Sequence, residues 1–353
     1  MRRLALAVLI LSAVASSEAR AKNVILFLAD GGGLPTVSAA SIHGYGKPQA
    51  LYVQQLPHLG LSDTSSASNW VTDSAAGITA IVTGQKTNNG VVSQSASAVR
   101  GARDGEPLKT ILEYAEERGL STGVLSDCPI SDATPAACYA HSNDRASQGE
   151  IFLQILKPRF GDGVDVVIGR GRERIFKETG ALGVDIWPAL KGKGYQLATS
   201  PDACSNAARP ASRLVALLGS EEFKLGEWLD CALTILSRNR KGFFLMVESD
   251  THLKDVRKSL EAMIELDRIV RRTAERMKES DTLIVFTADH SYDLHLPRSG
   301  APGEDIVPLM KAEGRHNAEE VVVAARGPGA EKVRGFFPNT RLFNIMISAY
   351  GWK

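Results

Sequence analysis

The sequence predicts an α/β chain: a doubly wound, mostly parallel central sheet flanked by helices. Short apolar, β-branched runs recur at residues 23–29, 121–126, 164–169, 243–247, 283–288 and 321–325, with the unbroken hydrophobicity of strands buried on both faces. Helical patterns separate them, and strand alternating with helix is the signature of a parallel sheet with crossover helices. The third observation is where polar residues fall. Asp30, then Glu248, Asp250 and His252, then Asp289 and His290 each follow an apolar run, so one rim of the sheet, the carboxyl end where such folds bind ligands, collects them.

The chain opens with Arg2-Arg3, an apolar stretch from Leu4 to Val14 and Ala19-Arg20-Ala21, which together read as a secretory signal peptide over residues 1–21, cleaved near Ala21. Its apolar core is too short to span a bilayer. Residues 22–353 are expected to form a single catalytic domain, exported to the periplasm or the medium. Cleavage removes three basic residues and one acidic residue, taking the formal charge from +1 to −1. So neutral a chain gives no electrostatic reason for a nucleic-acid or membrane partner. Four cysteines enter an oxidising compartment, and the local pairing is Cys128 with Cys138 and Cys204 with Cys231. No CxxC spacing exists, which argues against a thiolate zinc site.

After the first strand, Val71-Thr72-Asp73-Ser74-Ala75-Ala76-Gly77 leads into a small-residue helical run. Ser74 would sit at the positive end of that helix, where anionic groups bind. Taken alone, Asp-Ser before a helix is an ordinary N-cap. Residues 255 to about 277 give the clearest helix, with Val256, Leu260, Met263, Leu266, Val270, Ala274 and Met277 three or four apart on one face. The site residues supply the chemistry. Asp30, Asp250, His252, Asp289, His290 and His316 are carboxylates and imidazoles beside apolar segments, where unpaired charge is costly unless a metal neutralises it. Two divalent cations held by such ligands can bind the attacking and leaving oxygens of a phosphoryl displacement.

These residues resemble the alkaline phosphatase family. The nucleophile segment Val71 to Ala76 and Asp30-Gly31-Gly32 match, followed in the family's order by Ser131-Asp132-Ala133-Thr134-Pro135-Ala136-Ala137, Ala140-His141 with Arg145, Met246-Val247-Glu248, Thr287-Ala288-Asp289-His290 and Arg315-His316-Asn317-Ala318-Glu319-Glu320-Val321. The resemblance implies that Ser74 is the nucleophile, forming a phosphoserine. Asp30, Asp289 and His290 would hold one zinc, which also binds Ser74 and lowers its pKa. Asp250, His252 and His316 would hold a second zinc. Thr134 and Glu248, with Asp30 shared, match a magnesium site, and Asp132 would orient water on that magnesium. Arg145 would hold two phosphate oxygens, and Asp73 would position it.

The chain departs from the family at Glu248-Ser249-Asp250-Thr251-His252, a compressed version of the segment between the magnesium glutamate and the zinc histidine. Asp250 sits two before His252, so in extended backbone both face one way; Asp255 is the competing ligand. The stretch between His290 and His316 is also shorter than in many relatives. This leaves monomer and homodimer both open, and His141 and His295 without a family role.

The expected activity is hydrolysis of small-molecule phosphate monoesters, favoured in alkali. One alternative is a phosphodiesterase or sulfatase-like hydrolase of the same superfamily, told apart by relative turnover of aryl phosphate, bis-phosphate and sulfate. The other is a degenerate phosphate- or metal-binding protein, which Ser74→Ala would leave little changed.

Overall fold

The opening strand, β1 (Asn23–Asp30), is buried from Val24 onward, as its unbroken apolar composition dictates. In the computed structural model, which describes residues 20–200, 202, 213–297 and 300–353, it lies in the middle of a ten-stranded sheet. The others, in chain order, are β2 (His58–Asp63), β3 (Ser121–Pro129), β4 (Val166–Arg170), β5 (Gln196–Ala198), β6 (Leu214–Leu218), β7 (Phe243–Asp250), β8 (Thr282–Thr287), β9 (Ser291–His295), β10 (Lys311–Asn317), β11 (Val321–Arg326) and β12 (Gly335–Pro338). Across the sheet they run β12, β2, β11, β8, β1, β7, β3, β4, β6, β5, while β9 and β10 form a separate two-stranded ribbon. All neighbours in the large sheet pair parallel except those of β11, which is antiparallel to both β2 and β8.

The architecture is the expected one, and the six apolar runs are all strands: β1, β3, β4, β7, β8 and β11. Sequence reasoning passed over β2, β5, β6, β9, β10 and β12. Strand β2 (His-Leu-Gly-Leu-Ser-Asp) is mixed and only partly buried, and β10 is exposed over five of its seven residues, so neither carries the continuous apolar signal of a core strand.

The helix expected from 255 spans Val256–Arg276. Asp255 caps it by accepting from the backbone N–H groups of Arg257 and Lys258. Leu260, Met263, Leu266, Val270 and Ala274 are buried along its inner face. The helix Ser74–Thr83 is buried at every position. Its run of Ala, Gly, Thr and β-branched residues lets it pack closely between the helices Ala133–Tyr139 and Thr340–Ala349.

The expected Cys128–Cys138 disulfide is not formed: both are free thiols. Cys128 ends up near the end of β3, whereas the helix Ala133–Tyr139 carries Cys138 into the hydrophobic core. Cys231 is disulfide-bonded; Cys204, and residues 1–19 of the expected signal peptide, lie outside the described residues. Among the described residues no helix is long and apolar enough to cross a membrane.

Asp267, buried on the long helix, ties that helix to the segment after the first helix by accepting from the N–H groups of Tyr52 (3.0 Å) and Val53 (2.8 Å). Asp267→Ala would strand two buried donors. It is expected to lower unfolding free energy by about 2–4 kcal/mol, read from urea denaturation, with Asp267→Asn recovering part of the loss.

Candidate active site

Three neighbouring strands deliver the acids. In the parallel registers Asp30 pairs with Asp250 and Leu28 with both Glu248 and Thr287, so Asp30, Glu248 and Asp250 end on one rim and Asp289 and His290 follow β8 onto it. The chain turns away at Gly31, whose φ of +67° suits glycine; a Cβ there would lie 2.5 Å from that of His252. Gly77 serves a different approach. A Cβ on it would stand 2.6 Å from the Asp289 carbonyl, so its absence lets the Ser74 helix close on β8's end.

Ser74 is the first residue of its helix and is buried. Its Oγ lies 3.3 Å from His290 Nε2, which is itself 3.2 Å from Asp30 Oδ1 and 3.5 Å from Asp289 Oδ2. His290 Nδ1 faces the Ser291 carbonyl at 3.2 Å, leaving Nε2 turned to the acids and the serine. The β9–β10 ribbon brings in His316: its register pairs His316 with Tyr292, two residues past His290, and the two imidazole rings stack at 3.6 Å between centroids. His316 Nδ1–H donates to the Thr72 carbonyl at 3.0 Å, which frees Nε2 as an acceptor. His252 Nδ1 lies 3.0 Å from Asp250 Oδ1 and 3.5 Å from Asp30 Oδ1, and its ring centroid is 5.8 Å from that of His316. Asp255, the competing ligand, is exposed and spent on its helix cap.

Arg145 is clamped. Nη1 donates to Asp73 Oδ2 (3.1 Å) and Nη2 to Asp132 (3.2 and 3.3 Å), while Asp73 also caps the Ser74 helix through Ala76 N–H (3.1 Å) and accepts from Gly90 N–H (3.0 Å). One carboxylate therefore fixes both the serine's helix and the guanidinium. Asp132, expected to serve a magnesium-bound water, is here engaged with Arg145 and with Gln148 Nε2 (3.3 Å). Behind them, Glu248 and Thr134 are buried. Glu248 bonds Ser126 Oγ, and Thr134 Oγ1 has no hydrogen-bond partner.

The electrostatics follow from crowding. Burial would raise the Asp30 carboxyl, but His290, through a hydrogen bond and its charge, and then His252 outweigh burial and hold it well below the usual range. Burial and then the Asp30 charge push Asp289 up to about 6 and Glu248 well above the ordinary value. His252 rises to about 9 because Asp250 and Asp30 overcome its burial, and burial and then the neighbouring His290 lower His316. Asp30 Oδ1 and Asp289 Oδ2 are buried without a good hydrogen bond. Buried acids with open lone pairs, beside imidazoles, form a donor set suited to cations. Asp30, Asp289 and His290 bring one ligand atom each within 4.8 Å of one another; Asp250, His252 and His316 are not gathered so tightly. A second such group, Asp293, His295 and Glu313, lies on the partly exposed ribbon.

The family model for alkaline phosphatase matches residues 21–183 and 215–313. The chain belongs to the alkaline phosphatase family. It is an enzyme of the phosphatase class. Over 96% of its length it is 30% identical to alkaline phosphatase of Escherichia coli (strain K12), covering 88% of that protein, and over 94% it is 29% identical to the mouse tissue-nonspecific isozyme, covering 75%. It is also 29% identical to a streptomycin-6-phosphate phosphatase of Streptomyces griseus, over 96% of this chain and 92% of that one. The alkaline phosphatase structure from the Antarctic bacterium TAB5 superimposes with a TM-score of 0.80 at 26% identity, covering 95% of this chain and 99% of that one; a mutant of it holds magnesium in its M3 site. His316 lies three residues beyond the family match and reaches the site through the ribbon.

Of the residues named from the sequence, Ser74, Asp30, Asp289, His290, Asp250, His252 and His316 meet at this rim, and Asp73 and Asp132 meet Arg145; His141 instead faces the Leu108 carbonyl and Arg159. Sequence reasoning missed Ser126, Gln148 and Asp127, whose carboxylate accepts from Ser249 Oγ (2.6 Å) and Asp250 N–H (2.9 Å). Their only sequence signal is proximity to a strand end or to a matched motif.

Because Asp73 both caps the helix and holds Arg145, Asp73→Ala is expected to have two effects. Unfolding free energy should fall by about 1–2 kcal/mol from the lost cap, and inhibition by inorganic phosphate should weaken by about tenfold or more as Arg145 loses its orientation. Calorimetry and steady-state inhibition measure the two separately.

Proposed function

We propose that this chain hydrolyses small-molecule phosphate monoesters through a phosphoserine formed on Ser74. The observation that carries the reading is the convergence of Ser74 Oγ, the Asp30–Asp289–His290 cluster and the clamped Arg145 at one rim. Arg145's planar fork would hold two non-bridging phosphate oxygens, its orientation fixed beforehand by Asp73 and Asp132. Ser74 Oγ would form a bond to phosphorus as the bond to the leaving oxygen breaks, the hydroxyl proton ending on that oxygen to give the free alcohol. Water would then take Ser74's place on phosphorus, releasing phosphate and restoring the hydroxyl. The N-terminus of the Ser74 helix favours the anionic substrate.

The Asp30–Asp289–His290 set suits zinc, with Ser74 adjoining; Asp250, His252 and His316, less tightly gathered, would hold a second zinc, and Thr134, Glu248 and Asp30 would hold magnesium. Bound there, divalent cations would supply Lewis-acid stabilisation of charge on the entering and leaving oxygens. Asp250 is the better reading than Asp255, supported by its 3.0 Å approach to His252 Nδ1. Residues 1–21 are read as a signal peptide and residues 22–353 as one exported catalytic domain, supported by the single large sheet to which β1 and β12 both contribute.

Ser74→Ala is expected to cut release of p-nitrophenol from p-nitrophenyl phosphate by at least about a thousandfold. The wild-type chain should turn over that monoester well ahead of bis(p-nitrophenyl) phosphate and p-nitrophenyl sulfate. A preference for diester or sulfate would contradict the monoesterase reading, and unchanged phosphate binding with no turnover in the wild type would support a binding protein. Elemental analysis of the purified chain is expected to find two zincs and one magnesium, with activity lost on chelation and regained on adding both.

A further inference from the structure

We infer that Asp127 is a positioning residue that holds the compressed Glu248–His252 segment, the end of β7 and the two residues after it, and thereby presents Asp250 and His252 to a cation; the inference rests on the metal-dependent reading above. The β3–β7 ladder runs in register from Ser121 opposite Phe243 to Ser126 opposite Glu248, and there it stops. One residue on, the Asp127 side chain takes over. Its Oδ1 accepts from Asp250 N–H at 2.9 Å and its Oδ2 from Ser249 Oγ at 2.6 Å. On the β1 side the Asp30 carbonyl accepts from Thr251 N–H (3.1 Å) and Thr251 Oγ1 (2.8 Å). Ser249, Asp250 and Thr251 are thus pinned between β1 and β3. Asp250 Oδ1 is left at 3.1 Å from His252 N–H and 3.0 Å from His252 Nδ1, so fixing Asp250 also fixes the imidazole.

The end of β7 needs support on one side only. Ser249 and Asp250 stay in register with Ala29 and Asp30 of β1, but on the β3 side the pairing ends at Ser126 opposite Glu248, so no β3 backbone partner meets them there. Both Asp127 oxygens are engaged in holding these two residues, which assigns it to orientation rather than to coordination. Asn at this position would retain one acceptor for the Asp250 amide and offer an N–H to the Ser249 hydroxyl, so geometry survives without the charge.

The test is a titration of Zn2+ into the chelator-stripped full chain, followed by calorimetry, for wild type, D127A and D127N. Two classes of zinc site are expected in wild type. D127A should weaken one class by about 10–100-fold while sparing the other, and D127N should stay close to wild type. Unchanged affinities in D127A, or a loss in D127N as large as that in D127A, overturn the inference while leaving the parent reading intact. Wild type that binds no zinc overturns both. Should D127A fail to fold, Ser249→Ala is expected to weaken the same class by about fivefold, and an unchanged S249A affinity then overturns the inference.

Discussion

Like charges held together in a dry place govern this molecule. Asp30 and Asp250 are register partners, Glu248 lies two residues before Asp250 on the same strand, and Asp289 closes in from β8. Buried carboxylates at such spacing cannot all ionise unaided, and the directions of their pKa values say how the strain divides: Asp30 keeps its charge, with His290 and His252 drawn toward their protonated forms, while Asp289 and Glu248 are pushed toward theirs. In the proposed function, cations would resolve the conflict by replacing those protons, so uptake would release protons and add to folding stability.

The rest of the structure serves to hold that cluster and aim a hydroxyl at it. The parallel strands bring the acids to one rim, and Gly77 allows the buried helix of Ser74 to approach. The ribbon swings His316 back over His290, and Asp73 couples the helix N-terminus to Arg145. Arg145 is held by Asp73 and Asp132, and His316 by the Thr72 carbonyl.

Much of this was legible in the letters, for physical reasons that differ by element. Strands β1, β3, β7 and β8 are buried on both faces, so their apolar runs announced them and the acids at their ends announced the rim. The Val256–Arg276 helix was read from the period of its apolar face. The ribbon was opaque because Lys311–Asn317 is largely exposed and carries no apolar alternation, so His316 was a candidate ligand by residue type and family resemblance, with no strand to place it. Asp127 was invisible since its partners are a hydroxyl and a backbone amide 122 and 123 residues away. The Cys128–Cys138 pairing failed because nearness in sequence ignored the helix that carries Cys138 inward.

The melting temperature of the chelator-stripped chain, measured before and after zinc is restored, tests directly whether cations relieve the buried charge. Stabilisation of a few kcal/mol at saturating metal is expected, by the linkage of binding to folding, raising the midpoint by roughly several degrees. A midpoint that does not move would contradict the claim that these acids and imidazoles exist to hold cations.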